Sequence, residues 1–284
     1  MTTFEELSGY TGTWCPGCGD WGISVSIKRA FAELGLAPSD VGVVFDIGCS
    51  GNMNDILNAY AMHGLHGRSI AEAVGMKIGN TKMPVVMIGG DGGLYGEGGN
   101  HFLHACRGNH DITVIVHDNS VYGLTTGQVA PTAFKGYKSK STPAGIIEVP
   151  VNPLALALTH GASFIAQAFA GDVTNLIGMI KAGISHKGFS LVNVLQPCVT
   201  FNKVNTYQYY LQRTYKLPED YQPGNFDAAL AKTMEVNQEK FPLGIIYKDD
   251  RPAFHEQLPQ IKPGMSLLDN QPFHDIHSLM EEFE

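Results

Sequence analysis

The sequence contains no run of about 18 consecutive apolar residues, the length expected of a membrane-spanning helix. Its first residues, Met-Thr-Thr-Phe-Glu-Glu, include neither a basic region nor an apolar segment, so no secretory signal is expected. Basic residues are outnumbered, with 19 Lys and Arg against 27 Asp and Glu. This acidic balance argues against nucleic acid as the main partner. We therefore expect a cytoplasmic protein that binds neither membranes nor nucleic acid.

Cysteine is also scarce, with five residues among 284, which excludes a scaffold built on many disulfides. In a reducing compartment, cysteines more often bind metals or react than form disulfides. The hydrophobic content of 44% is ordinary for a globular protein. The length suffices for one large α/β domain or two small ones.

The strongest pattern lies between Val85 and Gln128. An apolar run at 85–88 leads into G-G-D-G-G, a helical segment follows, and a second apolar run at 112–116 leads into D-N. Strand, helix and strand in this order predict parallel strands joined by a right-handed crossover. Asp91 and the asparagine that follows the second run should therefore meet at the same carboxyl edge of one sheet.

This edge has the chemistry of a magnesium diphosphate site. Asp91 offers a carboxylate oxygen and Asn119 an amide oxygen, and Mg²⁺ prefers a few hard oxygens completed by water and phosphate. The backbone amides of Gly92 and Gly93 can face the same phosphates. An ordinary turn at a strand end is the alternative, and a lone G-D-G would be weak support.

The longer pattern is more specific. G-D-G, a spacer, D-N and then V-Y-G-L-T-T-G-Q resemble the thiamine diphosphate motif, and more closely the β subunit of 2-oxoacid:ferredoxin oxidoreductases. The resemblance implies that Asp91, Asn119 and the backbone carbonyl of Val121 hold Mg²⁺. It also implies the α/β thiamine-diphosphate-binding fold, a mostly parallel sheet flanked by helices, here with an extended C-terminal tail.

The resemblance assigns further residues to thiamine diphosphate. A loop at 47–50 is expected to line the cofactor rings, a histidine in H-G-L-H-G-R to contact the diphosphate, and Y-G-L to wrap it. The alternatives are a strand-end turn for the loop and a surface or capping role for the histidine. His63, His101, His104 and His117 are expected to be structural. The predicted cofactor residues are Ile47, Gly48, Cys49, Ser50, His66, Gly92, Gly93, Gly123 and Leu124.

Four cysteines stand beside Gly or Pro: Cys15 and Cys18 in C-P-G-C-G, and Cys49 and Cys198 at predicted strand ends. Four thiolates suit a [4Fe–4S] cluster or tetrahedral zinc. C-P-G-C-G alone resembles a zinc-ribbon knuckle, but a ribbon needs a second C-x-x-C and none occurs. In the resembling family, cysteines in these four settings hold one [4Fe–4S] cluster. Cys106 is expected to be a buried, inert thiol.

The predicted organisation has two parts. Residues 1–202 form the domain for thiamine diphosphate, Mg²⁺ and the cluster, and residues 203–284 form a C-terminal extension that packs on the body or a partner. Asp20 is expected to cap the first helix. A helix is predicted at 56–62, and 189–195 is predicted as the last core strand.

The resemblance implies oxidative decarboxylation of a 2-oxoacid with coenzyme A, giving acyl-CoA and CO₂, with electrons passing through the cluster to ferredoxin. The cofactor does the carbon chemistry, so no catalytic side chain is assigned in this chain. The glutamate that activates the cofactor comes, in that family, from an α-type or fused α/γ partner subunit. We therefore expect a hetero-oligomer that is inactive without this partner.

One departure concerns the substrate. Many relatives carry a basic residue where this chain has Asn52. The substrate carboxylate would then meet Arg68, Lys135 or the partner subunit, and both 2-oxoglutarate and pyruvate stay open as substrates. Two other functions also stay open. One is a non-redox thiamine diphosphate decarboxylase or synthase, and the other is a zinc-stabilised scaffold subunit without catalysis.

Overall fold

The computed structural model describes residues 2–262, 264–269, 280 and 281. The end of the predicted C-terminal extension thus lies largely outside the described residues. The described residues contain ten strands: β1 Gly42–Phe45, β2 Tyr60–His63, β3 Val85–Gly90, β4 Thr113–Asp118, β5 Val121–Tyr122, β6 Gln128–Val129, β7 Phe164–Phe169, β8 Ser190–Leu195, β9 Thr214–Lys216 and β10 Phe241–Lys248. The α-helices are α1 Gly19–Glu33, α2 Ser69–Gly79, α3 Gly99–Gly108, α4 Pro153–Thr159, α5 Val173–Ser185, α6 Tyr207–Arg213 and α7 Phe226–Met234.

Eight of these strands form one sheet in the order β2-β1-β3-β4-β8-β7-β10-β9. The pairs from β2 to β7 are all parallel, β10 pairs antiparallel with β7, and β9 runs parallel to β10, so β9 and β10 both run against the other six strands. A mostly parallel sheet flanked by helices was the predicted fold, and it is confirmed. The short strands β5 and β6 form a separate antiparallel hairpin.

Helices cover both faces of the sheet, as a parallel sheet with two buried faces requires. Alternate residues of each strand point to opposite faces: Val43 and Phe45 belong to the core cluster that includes residues of α1 and α5, whereas Val44 belongs to the cluster that includes residues of α2, α3, α4 and α7. The central strands β3, β4, β7 and β8 are therefore apolar almost throughout. Every helix in the described residues is too short or too polar to cross a membrane.

Side chains define several helix ends. Asn152, Asp172, Thr206 and Asn225 each accept a hydrogen bond from a backbone N–H in the first turn of the helix that follows. Helix α3 ends at Asn109, which takes the left-handed conformation with φ 53°. After α3 and α5, the strands β4 and β8 pair in parallel and run toward the same edge of the sheet.

Three elements differ from the predictions. The helix predicted at 56–62 is wrong, because Tyr60–His63 is a strand that pairs with β1 at the sheet edge. All four of its residues are exposed, so the segment shows no alternation of burial. A π-helix, Gly92–Glu97, precedes α3. The strand at 189–195 is not the last core strand, because β10 extends the sheet from within the C-terminal segment.

Candidate functional site

The parallel strands end on one edge, and their next residues surround a cavity with about 560 Å³ of empty space. We call it the cofactor cavity. Every residue that the sequence assigned to thiamine diphosphate or Mg²⁺ lines it. Gly48 of this lining has φ +132°, a conformation that side chains rarely adopt. The structure therefore brings the predicted cofactor and magnesium residues together in one place.

Asp91 follows β3 and is buried beneath this cavity. Its Oδ2 accepts hydrogen bonds from the Ser120 backbone N–H at 2.8 Å and from the Thr132 hydroxyl at 2.5 Å. Burial and the neighbouring Asp118 carboxylate raise the pKa of Asp91. Burial likewise raises the pKa of Asp118. Two buried carboxylates side by side favour a cation nearby, because the charge of a bound Mg²⁺ would stabilise the ionised form.

Asn119 is held in one orientation by its neighbours. Its Oδ1 accepts from the backbone N–H of Val121 at 3.0 Å, and its Nδ2 donates to Gln196 Oε1 at 2.6 Å. An amide oxygen has two lone pairs, so Oδ1 can also bind a metal. Gln196 is buried and was not predicted as a site residue. Its Nε2 donates to Cys18 Sγ at 3.3 Å, so Gln196 joins the predicted magnesium ligand to a predicted cluster ligand.

His66 lies between two carboxylates. Its Nδ1 is 3.0 Å from Asp46 Oδ2, and its Nε2 is 3.5 Å from Glu97 Oε2. Asp46 is fully buried, and its other oxygen accepts hydrogen bonds from the Gly67 N–H and the Ser69 hydroxyl. The sequence did not predict Asp46, although an acidic residue at the end of a buried strand was a visible signal. Asp46 fixes the His66 ring at the wall of the cofactor cavity.

Two glycines of this wall are packed against side chains. A Cβ at Gly92 would lie 2.4 Å from the Tyr122 ring, and one at Gly93 would lie 1.9 Å from Asp46 Oδ2. Any larger residue would push these groups away. Packing alone therefore requires glycine at both positions, which are also the two whose backbone amides were predicted to face a phosphate.

The four predicted cluster cysteines line a second cavity, which has about 710 Å³ of empty space. We call it the cysteine cavity. It shares Cys49, Asn119, Gly123 and Leu124 with the cofactor cavity, so the two are neighbours. A Cβ at Gly123 would lie 3.4 Å from Cys49 Sγ and 3.7 Å from Cys198 Sγ. Cys106 is buried elsewhere, on the helix α3 side of the sheet.

The electrostatics of the cysteine cavity favour neutral thiols in the protein alone. Burial, the Asp20 carboxylate and the neighbouring cysteines raise the pKa of Cys49 to about 12. Burial and Asp20 also raise the pKa of Cys18, and burial raises that of Cys198. Thiolates in this setting need a positive centre to stabilise them, which metal ions or an iron–sulfur cluster would supply.

The chain has two tryptophans, and both donate hydrogen bonds to backbone carbonyls of the predicted cluster cysteines. Trp14 Nε1 donates to the Cys49 carbonyl at 2.7 Å, and Trp21 Nε1 donates to the Cys15 carbonyl at 3.1 Å. Their rings meet edge to face at 5.1 Å. Each tryptophan therefore positions the backbone of a predicted cluster ligand. The sequence offered only proximity to C-P-G-C-G as a hint of this role.

Asp20 and His117 form a buried pair beside the two cavities. Asp20 does not cap α1 as predicted, since Cys18 stands at the N-cap position. The Asp20 carboxylate instead turns to His117 Nδ1 at 2.6 Å and accepts from the Cys18 thiol at 3.2 Å. His117, predicted to be structural, lines the cofactor cavity.

The two cavities have few charged side chains that could bind a metal ion or an anion. Within the described residues, no three His, Cys, Asp or Glu side chains converge closely enough to enclose a single metal ion. The predicted magnesium site has only one carboxylate, so it depends on amide, backbone, phosphate and water oxygens. As far as the described residues define them, the linings of the two cavities include no lysine or arginine. Asn52 lines the cysteine cavity, whereas Arg68 and Lys135 line neither.

Comparison with known proteins agrees with this geometry. Residues 46–194 match the family model described as "Thiamine pyrophosphate enzyme, C-terminal TPP binding domain". Residues 198–263 match the family model for the C-terminal part of the pyruvate ferredoxin oxidoreductase β subunit. The 2-oxoacid:ferredoxin oxidoreductase subunit beta of Saccharolobus solfataricus is 42% identical over 93% of this chain and 90% of its own length. The chain belongs to the β subunits of the 2-oxoacid:ferredoxin oxidoreductases.

Two further relatives are named for 2-oxoglutarate. The 2-oxoglutarate oxidoreductase subunit KorB of Mycobacterium tuberculosis is 40% identical over 66% of this chain and 51% of its own length. A solved 2-oxoglutarate:ferredoxin oxidoreductase from Magnetococcus marinus, with 2-oxoglutarate, coenzyme A and succinyl-CoA bound, superposes with a TM-score of 0.92. It shares 35% identity, and the match covers 100% of this chain and 96% of that one. Family membership thus favours the redox function over the non-redox and scaffold alternatives.

Proposed function

We propose that this chain binds thiamine diphosphate, Mg²⁺ and one [4Fe–4S] cluster, and that with a partner subunit it converts a 2-oxoacid and coenzyme A to acyl-CoA and CO₂. The observation that carries the proposal is the pair of neighbouring cavities with a shared wall at Cys49, Asn119, Gly123 and Leu124. When bound, thiamine diphosphate supplies the carbanion chemistry of decarboxylation, and the cluster supplies one-electron transfer to ferredoxin.

The chain's own residues would bind and orient these groups. Asp91, Asn119 and the Val121 carbonyl would hold Mg²⁺, and the metal would neutralise charge on the diphosphate. The amides of Gly92 and Gly93 and the His66 ring would bind the phosphates, with His66 kept in place by its 3.0 Å contact with Asp46. The loop at 47–50, together with Gly123 and Leu124, lines the space for the cofactor rings.

A cluster explains the cysteines better than zinc does. Four sulfurs around one Zn²⁺ would each lie about 2.3 Å from a single point. Here Cys15, Cys18, Cys49 and Cys198 surround a cavity, and no such convergence occurs among the described residues. A [4Fe–4S] cluster is larger than one ion and carries its cysteines on separate iron atoms. Its place beside the cofactor cavity would also let electrons leave the site.

The partner subunit would complete the site. Ile47 and Leu124 line the cofactor cavity but are 38% and 50% exposed, so an apolar surface stays open at its mouth. Glu97 contacts His66 and Tyr122 and is not itself part of the cavity lining. We propose that an α-type partner covers this mouth and supplies both the activating glutamate and a cation for the substrate carboxylate.

The 2-oxoacid is proposed from the relatives. The structure from Magnetococcus marinus contains 2-oxoglutarate and succinyl-CoA, which favours 2-oxoglutarate. The match of residues 198–263 carries the name of pyruvate ferredoxin oxidoreductase, so pyruvate is the second candidate. The reducing environment that a cluster requires favours a cytoplasmic location.

Metal analysis of anaerobically purified protein tests the cluster. We expect about four iron and four sulfide per chain, and a loss of both when any of Cys15, Cys18, Cys49 or Cys198 is changed to Ser. Cys106→Ala is the matched control and should retain iron. Zinc without sulfide would support the scaffold function, and thiamine diphosphate without iron would support a non-redox enzyme.

Turnover is tested with the chain co-expressed with its partner. Viologen reduction in the presence of coenzyme A should be fastest with 2-oxoglutarate and slower with pyruvate. The chain purified alone should show no turnover, because it lacks the activating glutamate. Activity of the chain alone would contradict the need for a partner.

A further inference from the structure

His117 is the last residue but one of β4, and its ring lies at the carboxyl edge of the sheet. Both His117 and Asp20 are only 1% exposed, and the 2.6 Å contact between them uses Nδ1 of the ring. Because a carboxylate oxygen is an acceptor, the Nδ1–H of His117 donates this hydrogen bond to Asp20 Oδ1. This fixes the ring orientation and leaves Nε2 as the atom that is free to meet another group.

Nε2 of His117 has no hydrogen-bond partner among the residues that the structure describes, although it is buried. Buried polar atoms nearly always have a partner, so an exception needs an explanation. The other side-chain atoms in this condition belong to Glu72, Asn175 and Arg251, which line neither cavity. His117 alone among them lines the cofactor cavity.

We propose that Nε2 of His117 makes a direct hydrogen bond to thiamine diphosphate and that Asp20 is the positioning residue that holds the ring for this contact. The proposal rests on the proposed function, because it assumes that this cavity receives the cofactor. It adds to the site a binding residue that neither the motif nor the composition indicated.

Asp20 also connects His117 to the cysteine cavity. Its Oδ1 contacts His117, while its Oδ2 accepts from the Cys18 thiol at 3.2 Å. Asp20 itself lines the cysteine cavity. The pair therefore forms a buried polar connection from a cluster ligand to the cofactor, and a change in Asp20 should be detectable on both sides.

Two substitutions of His117 separate its two contacts. In His117→Asn, the amide nitrogen can replace Nδ1 and keep the bond to Asp20, but nothing reaches the position of Nε2. In His117→Gln, the longer side chain reaches the Nε2 position and loses the bond to Asp20. Thiamine diphosphate affinity is measured by calorimetry on the complex with its partner, after removal of the cofactor and in the presence of Mg²⁺.

We expect His117→Asn to bind thiamine diphosphate about 10-fold more weakly, the size of one lost hydrogen bond, and His117→Gln to retain more of the affinity. His186→Gln is the control, since His186 is also buried but contacts Ser163, far from the cavity; its affinity should equal that of wild type. Equal affinity of wild type and His117→Asn would overturn the inference alone. Failure of the wild-type complex to bind the cofactor would overturn the proposed function as well.

The reduction potential of the cluster is a second measurement, and a purely structural role of Asp20 would leave it unchanged. Asp20→Asn removes a negative charge next to Cys18, so the reduced cluster should become easier to form and its reduction potential should rise. His117→Asn keeps that charge and should leave the potential near that of wild type. An unchanged potential in Asp20→Asn, with iron content intact, would contradict the connection. A variant that changes only the KM for the 2-oxoacid would assign His117 to the substrate and overturn the contact with thiamine diphosphate.

Discussion

The side-chain amide of Asn119 donates to the side-chain amide of Gln196 at 2.6 Å, and the two residues follow neighbouring parallel strands. Gln196 in turn donates to Cys18 Sγ at 3.3 Å. One glutamine thus orients the predicted ligands of two different metal sites. Gly19 allows this approach, since a Cβ there would lie 2.6 Å from Gln196 Cγ.

Gln196→Leu should weaken the binding of thiamine diphosphate with Mg²⁺ by about 10-fold. The buried Nδ2 of Asn119 would lose its partner, and an unsatisfied buried donor costs about 1 to 3 kcal/mol. The measurement is calorimetric titration of the cofactor-free complex. Gln167→Leu is the control, because Gln167 is equally buried and donates to the Pro242 carbonyl instead. Equal affinities of Gln196→Leu and wild type would contradict a role in orienting Asn119.

Gln196→Glu tests the hydrogen bond that Gln196 donates to Cys18. A glutamate oxygen can still accept from Asn119, but it cannot donate to Cys18 and it adds a negative charge near the cysteine cavity. Cofactor affinity should stay within about 3-fold of wild type, which corresponds to less than one net hydrogen bond. The cluster reduction potential should fall. A potential equal to that of wild type would show that Gln196 does not influence the cluster.

A buried ion pair on the opposite edge of the sheet should contribute to stability only. Lys77 Nζ lies 2.7 Å from Asp111 Oδ2, and both side chains are less than 10% exposed, at 5% and 8%. Lys77→Met should lower the free energy of unfolding by about 3 kcal/mol, because it leaves a buried carboxylate without its main partner. Lys77→Met with Asp111→Leu should recover most of the loss. Denaturant unfolding of wild type, Lys77→Met, Asp111→Leu and the double variant measures the coupling between the two residues, and a double variant that loses the sum of the two single losses would contradict it.

The same pair predicts a pH dependence. Burial opposes ionisation of Asp111, but Lys77 and its hydrogen bond outweigh burial and lower the pKa of Asp111. Burial lowers the pKa of Lys77 in turn, which works against the pair, yet the 2.7 Å contact favours the charged form at neutral pH. A carboxyl with a lowered pKa stabilises the fold above its unfolded pKa of about 4, and this contribution is lost as the pH falls through the folded value. The stability difference between wild type and Lys77→Met should therefore shrink in acid.

The central strand–helix–strand unit could be predicted because its signals are local. Apolar runs interrupted by glycines define β3 and β4, and parallel pairing then brings Asp91 and Asn119 to one edge. The strand β2 could not be predicted, since Tyr60–His63 lies at the sheet edge with every residue exposed and forms only by pairing with β1.

The strand β10 was missed for a different reason. Its sequence, F-P-L-G-I-I-Y-K, contains a proline and a glycine, both of which argue against a strand. In the structure, the pairing with β7 shifts register between Ile245 and Tyr247, and Gly244 takes φ +137°. An irregular strand of this kind is stabilised by its neighbours in the sheet rather than by its own pattern.

The hydrogen-bond network of the site could not be predicted from the sequence either. The contacts of Asp20 with His117 and of Gln196 with Cys18 join residues 97 and 178 positions apart. No spacing rule connects such residues, because the contacts depend on how the sheet and helix α1 pack. The predicted ligands came from motifs, whereas the groups that orient them came only from the structure.

The turn after the D-N pair contains a strained residue. Thr126 has φ 76°, which is rare for a β-branched side chain and costs about 1 to 3 kcal/mol. Thr126→Gly should therefore raise the free energy of unfolding by about 0.5 to 1 kcal/mol, after the entropy cost of glycine. Thr125→Gly, where φ is not positive, should lower it. Thermal unfolding measures the change in stability of each variant. A change in the same direction for Thr126→Gly and Thr125→Gly would contradict strain at Thr126.

Trp14 should report directly on the cysteine cavity. It lines that cavity, and it is one of only two tryptophans in the chain. If a cluster occupies the cavity, it should quench the fluorescence of Trp14, and removal of iron by a chelator should increase the emission. Trp14→Phe keeps an aromatic ring against Trp21 but loses the hydrogen bond to the Cys49 carbonyl.

Trp14→Phe should therefore bind iron at the wild-type level but lose it several-fold faster in air, because one hydrogen bond that positions Cys49 is worth about 1 kcal/mol. Loss of visible cluster absorbance after exposure to oxygen measures the rate. Tyr10→Phe is a suitable control, since Tyr10 is 83% exposed in the same N-terminal segment. Identical rates in all three proteins would show that Trp14 packs beside the cysteine ligands without holding them.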